Sequence, residues 1–369
     1  MAGTSESPAC ILYVDADRFF FSVEAIEQPG LADDPRPVII SQDPREAPRA
    51  VVTTANDAAR RLGINSAMSA AMALRRAPDA VFLPPRHELY VAHSRRLMAL
   101  LREESPLVQQ NSIDEAACDW RHRGFDPTAA TALRERVLAE LRLSITLGIA
   151  TSPLVGKIAS ESAKSDPTHL RVVPPGTEAA FLNPLPIRAL VGVGPKSERR
   201  LLAAGIDTIG ALASRTLVEL IASHGQAYGT YLHRASHGEA DATLSEERVA
   251  KSVSAERTFS EDTADRRRLW REIQEQADEI SERLRKENLL AGEVAIKIRY
   301  GNWQTLTRQS RLSIPSNAAT TVATVAANLM RLHWDRTRPL RLLGVRAGRL
   351  VSAAEAQPSL PLTIESDVA

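Results

Sequence analysis

The chain is poor in cysteine, in lysine and in long apolar runs, and each shortage removes a class of explanation. Cys10 and Cys118 are the only cysteines in 369 residues. They lie far apart and in no metal-ligand spacing, which argues against a disulfide framework or a zinc module and leaves two small buried side chains. The eight histidines are expected to be scattered rather than paired as ligands. No apolar run approaches the length of a membrane span, and Met1 to Pro8 has no positively charged leader before an apolar stretch, so a cytoplasmic chain with no membrane contact is expected. Lysine supplies only six of the 46 basic residues, so a lysine inside a motif carries more information than usual.

Charge is present and unevenly placed. The net charge of +1 excludes nothing, but residues 246–350 hold 20 Lys and Arg against 14 Asp and Glu, a balance of +6, which leaves −5 for the rest. One segment is a basic module, and the acidic surplus elsewhere suits a site built from carboxylates. The length is too great for one ordinary core and predicts two to four domains.

Along the first 170 residues, strands alternate with helices. Cys10 to Asp15 reads as a buried strand ending in a carboxylate, Phe19 to Glu27 as a helix, and His87 to Glu104 as a long amphipathic helix. Leu107 to Trp120 reads as a hairpin or long strand containing Asp114 and Glu115. Pro174, Pro175 and Gly176 mark a boundary, after which short helices with glycine breaks run to about residue 240. A polar linker, 241–250, precedes a strand–helix–strand–strand–helix–strand pattern over 251–350, with Gly301-Asn302 as its hairpin turn. The fold class expected is multidomain α+β.

Two carboxylate pairs stand out: Asp15 and Asp17 around Ala16, and the adjacent Asp114 and Glu115. Such pairs usually sit on solvated faces, but both border apolar runs, where an unpartnered carboxylate is costly. Strand neighbours face opposite ways, so one of each pair need point at a shared site. The assignment adopted is Asp15 and Asp114 as bridging ligands of a pair of magnesium ions, Glu115 on the catalytic ion, and the carbonyl of Ala16 as a further hard oxygen.

These residues fall within a longer pattern. Val14-Asp15-Ala16-Asp17-Arg18-Phe19-Phe20-Phe21-Ser22-Val23-Glu24 resembles the opening signature of the Y-family DNA polymerases, and Ser112-Ile113-Asp114-Glu115-Ala116 resembles their second catalytic signature. Thr54-Ala55-Asn56, Ala59-Arg60, Gly63-Ile64, Ser66-Ala67-Met68 and Gly156-Lys157-Ile158-Ala159-Ser160 extend the resemblance over about 10–350, nearest the bacterial polymerase IV branch. The resemblance implies a right-hand polymerase: a palm at 1–26 and 85–174, fingers at 27–84, a helix-hairpin-helix thumb at 175–242 and a βαββαβ little finger at 250–350. It implies an error-prone, template-directed enzyme that lacks proofreading, works on primer-template DNA and deoxynucleoside triphosphates, uses two Mg2+ ions that Mn2+ can replace, and is a monomer. By matching position it implies Phe20 as steric gate against a ribose 2′-hydroxyl, though the run Phe19-Phe20-Phe21 does not itself say which ring serves. It also implies triphosphate contacts from Phe19, Thr54, Arg60 and Lys164.

Three departures stand against the pattern. Asp57 replaces a tyrosine that contacts phosphate, Ala117 replaces an aromatic, and Lys164-Ser165-Asp166-Pro167 replaces Lys-Pro-x-Gly. They support a rival reading, a weakly active or non-catalytic DNA-binding scaffold; a nucleotidyl cyclase is a further rival, opposed by the DNA-holding modules. Those modules are a hairpin with Gly192, Gly194 and Lys196, whose backbone N–H groups suit a DNA phosphate, and a sheet face with Lys297, Arg299, Arg308 and Arg311. Finally, 351–369 reads as a disordered tail in which Gln357, Leu360 and Leu362 resemble a peptide that binds the sliding clamp.

Overall fold

The apolar run after Cys10 becomes the central strand of a sheet, because both of its faces are buried and both of its edges are paired. The computed structural model describes residues 9–247 and 250–354, and the chain divides into two compact units, Met1–Glu247 and Arg248–Ala369. In chain order the first unit begins β1 (Ile11–Ala16), α1 (Phe19–Glu27), β2 (Val38–Ile40), β3 (Thr54–Ala55), α2 (Asp57–Arg61), α3 (Ala70–Arg76), β4 (Val81–Leu83) and α4 (His87–Glu104). It continues with β5 (Val108–Gln110), β6 (Glu115–Asp119), α5 (Pro127–Leu141), β7 (Ile145–Ala150), α6 (Pro153–Ala163) and β8 (Leu170–Val172). Five short helices follow: α7 (Glu178–Leu182), α8 (Pro195–Ala203), α9 (Ile209–Ala213), α10 (Leu217–His224) and α11 (Gln226–Ser236).

The main sheet runs β5-β6-β1-β7-β8, with β1 antiparallel to both of its neighbours. Leu12 and Val14 face a core shared with Leu97 and Leu101 of α4 and Val137 of α5. Ile11 and Tyr13 face the other side, where α6 lies unusually close to β7. A Cβ on Gly148 would sit 2.1 Å from the carbonyl oxygen of Gly156, so this approach requires glycine. A smaller sheet, β3-β2-β4, packs over an alanine-rich core of Ala55, Ala59, Ala73 and Ala77. Asn56 organises it: its side chain accepts from the N–H groups of Ala59 and Val38, both at 3.0 Å, and donates to the carbonyl of Arg36 at 2.9 Å. The histidines are not all dispersed, since His233 and His237 lie one helical turn apart on and just past α11 with ring centroids at 4.7 Å.

The second unit is β9 (Ser252–Thr263), α12 (Arg266–Lys286), β10 (Leu289–Tyr300), β11 (Thr305–Ser316), α13 (Ala319–His333) and β12 (Leu340–Ser352), in the sheet order β11-β10-β12-β9. This is the expected strand and helix pattern. Ile296 and Ile298 are buried in its core, so Lys297 and Arg299 face away from the helices. Arg311 pairs with Glu293 and shares that outer face, but Arg308 pairs with Ile296 and stands on the helix side of the edge strand. The basic face therefore contains Lys297, Arg299 and Arg311 without Arg308, a correction to the sequence reading. β12 runs one residue past Val351, and the clamp-like residues Gln357, Leu360 and Leu362 lie outside the described residues. Among the described residues no helix is long and apolar enough to cross a membrane.

Candidate active site

The carboxylate end of β1 is where charge enters an otherwise apolar sheet. Asp15 is the Cα partner of Glu115 across β1 and β6, so both side chains emerge on the α6 side of the sheet with Tyr13. Asp114 lies one residue before β6. Its carbonyl accepts from Ala16 N–H at 3.0 Å, and its carboxylate accepts from the Ser112 hydroxyl at 2.5 Å. The structure thus brings Asp15 together with Glu115, and turns the Asp114 side chain toward the Asn111–Ile113 loop instead. Among the described residues no three carboxylate, histidine or cysteine side chains are already gathered as a metal cage.

Two lysines answer the two carboxylates. Lys157 on α6 donates to Glu115 and lies 3.4 Å from the Tyr13 hydroxyl, which itself donates to Glu115 at 2.8 Å. Lys164, at the end of α6, donates to Asp15 at 3.2 Å and pairs with Glu161 at 2.7 Å. Burial pushes the Asp15 carboxyl up to about 7; Lys164 pulls it down and the charge of Glu115 pushes it up. Burial also raises Glu115, but the hydrogen bonds from Lys157 and Tyr13 outweigh it and hold Glu115 below its ordinary value. The close approach at Gly148 brings α6, and with it both lysines, over the strand ends. Sequence reasoning assigned Lys164 but gave no role to Lys157 or Tyr13. The available signal was spacing: two of six lysines stand seven apart, a separation that puts them on one face of a helix.

Asp17 does not join this group. It accepts from Ser144 at 2.6 Å and Thr146 at 2.7 Å, and His169 approaches to 3.5 Å; it anchors the corner between β1 and α1 to β7. Of the three consecutive phenylalanines, Phe19 and Phe21 are buried. Phe20 is the half-buried one, its ring centroid 4.6 Å from that of Tyr90. Glu24, the last residue of the opening signature, is 1% exposed and receives Arg86 and the Tyr90 hydroxyl, at 2.6 Å, so it ties α1 to α4.

A cavity of about 580 Å³ is lined by Asp17, Arg18, Asp57, Arg60 and Lys164 among others, and meets Asp15 through Lys164. A larger one, about 800 Å³, lies at the far end of β1 around Cys10, Asp119 and Leu244, away from every predicted site residue. In the smaller cavity the Arg60 guanidinium is held by the Ala55 carbonyl at 3.0 Å and the Thr54 hydroxyl at 3.2 Å. Asp57, the departure from the tyrosine pattern, forms an ion pair with Arg18. Its charge is therefore not presented bare to a polyphosphate. Ala117 is fully buried beside Ile11 and Tyr13.

The glycine hairpin also folds as a positioned element. Gly192 has φ of +84°, and a Cβ there would meet the Tyr231 ring at 3.0 Å. The Tyr228 hydroxyl donates to the Gly192 carbonyl at 3.1 Å, and Tyr231 donates to that of Val191. Gly194 caps α8, leaving Lys196 exposed in its first turn.

Comparison with known proteins agrees with this architecture. The model of the impB/mucB/samB family matches residues 14–161, and that of the impB/mucB/samB family C-terminal domain matches 250–360. A DNA polymerase IV of Methanoculleus marisnigri is 37% identical over 354 residues, covering 95% of this chain and 97% of the relative. The chain belongs to the DNA polymerase IV family. A second member, from Streptomyces coelicolor, is 39% identical over 341 residues, covering 91% of this chain and 70% of that one. Among solved structures, a Y-family DNA polymerase chimera superimposes with a TM-score of 0.81 at 24% identity, over 93% of this chain and 99% of that one. The DinB protein of Sulfolobus solfataricus gives 0.63 at 25%, over 92% and 98%. The DNA polymerase IV family is thus shown by sequence over nearly the whole chain, and the fold agrees with it.

Proposed function

We propose that this Y-family DNA polymerase joins a deoxynucleotide to a primer 3′-hydroxyl at the Asp15, Asp114 and Glu115 end of the first sheet. The enzyme class, a DNA-directed DNA polymerase of the translesion type, follows from the family. The observation that carries the site is the convergence of Asp15, which is buried, and Glu115, which is half-buried, on two lysines: carboxylates whose charge the fold leaves dependent on nearby positive charge. The donor chemistry fits a divalent metal, which Y-family polymerases require. In our reading there are two Mg2+ ions, replaceable by Mn2+, held by Asp15, Glu115, the Ala16 carbonyl, and Asp114 after it releases Ser112. When bound, such ions would supply Lewis acidity for the hydroxyl attack and for pyrophosphate departure. Lys164, Thr54 and Arg60 orient the triphosphate, with Phe19 beneath, and Phe20 stacks where a 2′-hydroxyl would stand.

In this reading residues 1–26 and 85–174 are the palm, 27–84 the fingers, 175–242 the thumb and 250–350 the little finger. Gly192, Gly194 and Lys196 grip the duplex backbone, as do Lys297, Arg299 and Arg311. The enzyme acts as a monomer in the cytoplasm. The scaffold alternative loses its main support, because Asp57 is paired with Arg18. Primer extension tests the site: Asp114→Ala lowers it by roughly 10²–10³-fold, the range of lost transition-state charge stabilisation, with duplex affinity retained. Equal extension by variant and wild type would refute the assignment. The same assay with ribonucleotides reads the gate, since Phe20→Ala raises their use and Phe19→Ala does not. A sliding clamp is the expected partner of Gln357, Leu360 and Leu362; clamp pull-down that survives Leu360→Ala plus Leu362→Ala removes it.

A further inference from the structure

The hairpin between β10 and β11 carries a side chain that its own backbone disfavours. The Trp303 backbone N–H donates to the Tyr300 carbonyl at 2.9 Å, and the Tyr300 N–H donates to the Gln304 carbonyl at 3.0 Å. At this bend Trp303 has φ of +68°, the left-handed conformation in which a Cβ crowds the carbonyl and where glycine or asparagine is normal. Both of those residues are present, at 301 and 302, yet the left-handed position holds the bulkiest side chain of all. Nor does burial compensate, for Trp303 is 62% exposed.

The surroundings hold the indole rigid and positive. The Arg341 guanidinium lies 4.4 Å from its ring centroid and that of Arg299 5.5 Å. Arg299 is in turn fixed by the Thr305 hydroxyl at 2.9 Å. Arg338 clamps the loop from the other strand connection, donating to Asn302 at 3.1 Å and Gln304 at 2.9 Å while lying 3.9 Å over the Tyr300 ring. Gly301 is closed off by Asp262, which a Cβ would meet at 2.1 Å. An exposed aromatic ring on a strained bend, with guanidinium groups packed over it and 62% of the residue still open to solvent, is a stacking platform for a flat group that carries negative charge beside it.

We propose that Trp303 stacks on an unpaired base of single-stranded nucleic acid, with Arg299 and Arg341 taking the flanking phosphates. Duplex bases have their faces covered by their neighbours, so the occupant is a single strand, and stacking of this kind tolerates any base sequence. The proposal rests on the polymerase reading, which supplies a single-stranded template; it shares Arg299 with the backbone grip of the sheet and adds a base contact that the grip lacks.

The test uses the full-length protein carrying Trp270→Phe, which leaves Trp303 as the exposed indole, since Trp120 and Trp334 are buried. Titration with a dT16 oligonucleotide, without nucleotide or metal, is expected to quench the fluorescence. Trp303→Leu is expected to abolish the quench and weaken dT16 binding about tenfold, the loss of one base–aromatic stack, with affinity for a blunt hairpin duplex within about twofold of the parent. Trp303→Phe retains most of the affinity. Trp303→Gly is the sharper variant: it relaxes the backbone, so its melting temperature stays or rises while dT16 affinity falls as for leucine. Unchanged dT16 binding by Trp303→Leu overturns the proposal. So does an equal loss for dT16 and duplex, or an equal quench by inorganic polyphosphate, which has charge but no bases. Primer extension by the parent separates the two readings: extension without the quench refutes only the platform, and the quench without extension refutes only the polymerase.

Discussion

The two large sheets handle charge in opposite ways. In the first unit β1 is covered on both faces, and its buried acid stands at one strand end, where Asp15 and Glu115 are each met by a lysine. In the second unit only one face is covered by helices. The other presents charge along its length, with Lys297 paired to Glu256 at 2.7 Å and Arg346 to Glu293 at 3.0 Å. A buried, over-determined end fixes side chains well enough for chemistry. An open row of charges along one sheet face suits a phosphate backbone that must slide past.

That contrast can be broken most forcefully at Gly148. Gly148→Ala would place a Cβ 2.1 Å from the Gly156 carbonyl and 2.6 Å from the Ser160 nitrogen. Overpacking of this kind costs about 1–3 kcal/mol, so the first unit should melt roughly 5–10 °C lower while the second is unmoved. Calorimetry resolving two transitions checks this, and a shift in both would mean that the close approach is not specific to the first sheet. A smaller effect sharpens the other side. Arg311→Ala should lower the salt slope of DNA binding by about 0.9, the share of one phosphate contact, and Arg308→Ala should leave it unchanged. Equal slopes for the two variants would contradict the assigned faces. Smallest is the exposed Arg18–Asp57 pair. Asp57→Ala frees the guanidinium for the triphosphate and should lower KM for nucleotide by roughly two- to fivefold, as expected from a surface ion pair. Steady-state kinetics decide it, and a raised KM would show that Asp57 itself contributes to binding.

Much of this was legible in the residues. Apolar runs and glycine or proline breaks located β1, α1, α4 and the six elements of the second unit, because each buries a periodic face. The misreading of the basic face has a physical cause. Arg308 and Arg311 are an odd number of residues apart, so a regular strand cannot point both to one face; the parity was there to be used. Asp114 keeps its expected place next to the site, one residue before β6, while strand register makes Glu115 the direct partner of Asp15. The Arg18–Asp57 pair could not be read at all. It depends on a left-handed turn at Arg18, with φ of +49°, that swings its side chain toward a helix starting 39 residues further on. Lys157 was visible inside a motif, but its partner, Glu115, became evident only once Gly148 had let α6 approach.

The central place of β1 has a consequence for synthesis. Among the strands of the main sheet β1 comes first in the chain, and its two neighbours begin at residues 115 and 145. At about 5–20 residues per second, Cys10 to Val14 waits on the order of ten seconds before either edge is paired. An apolar strand with two open edges is an aggregation hazard for that interval, so a nascent chain halted near residue 110 should bind holding chaperones strongly, and one halted past residue 150 should release them.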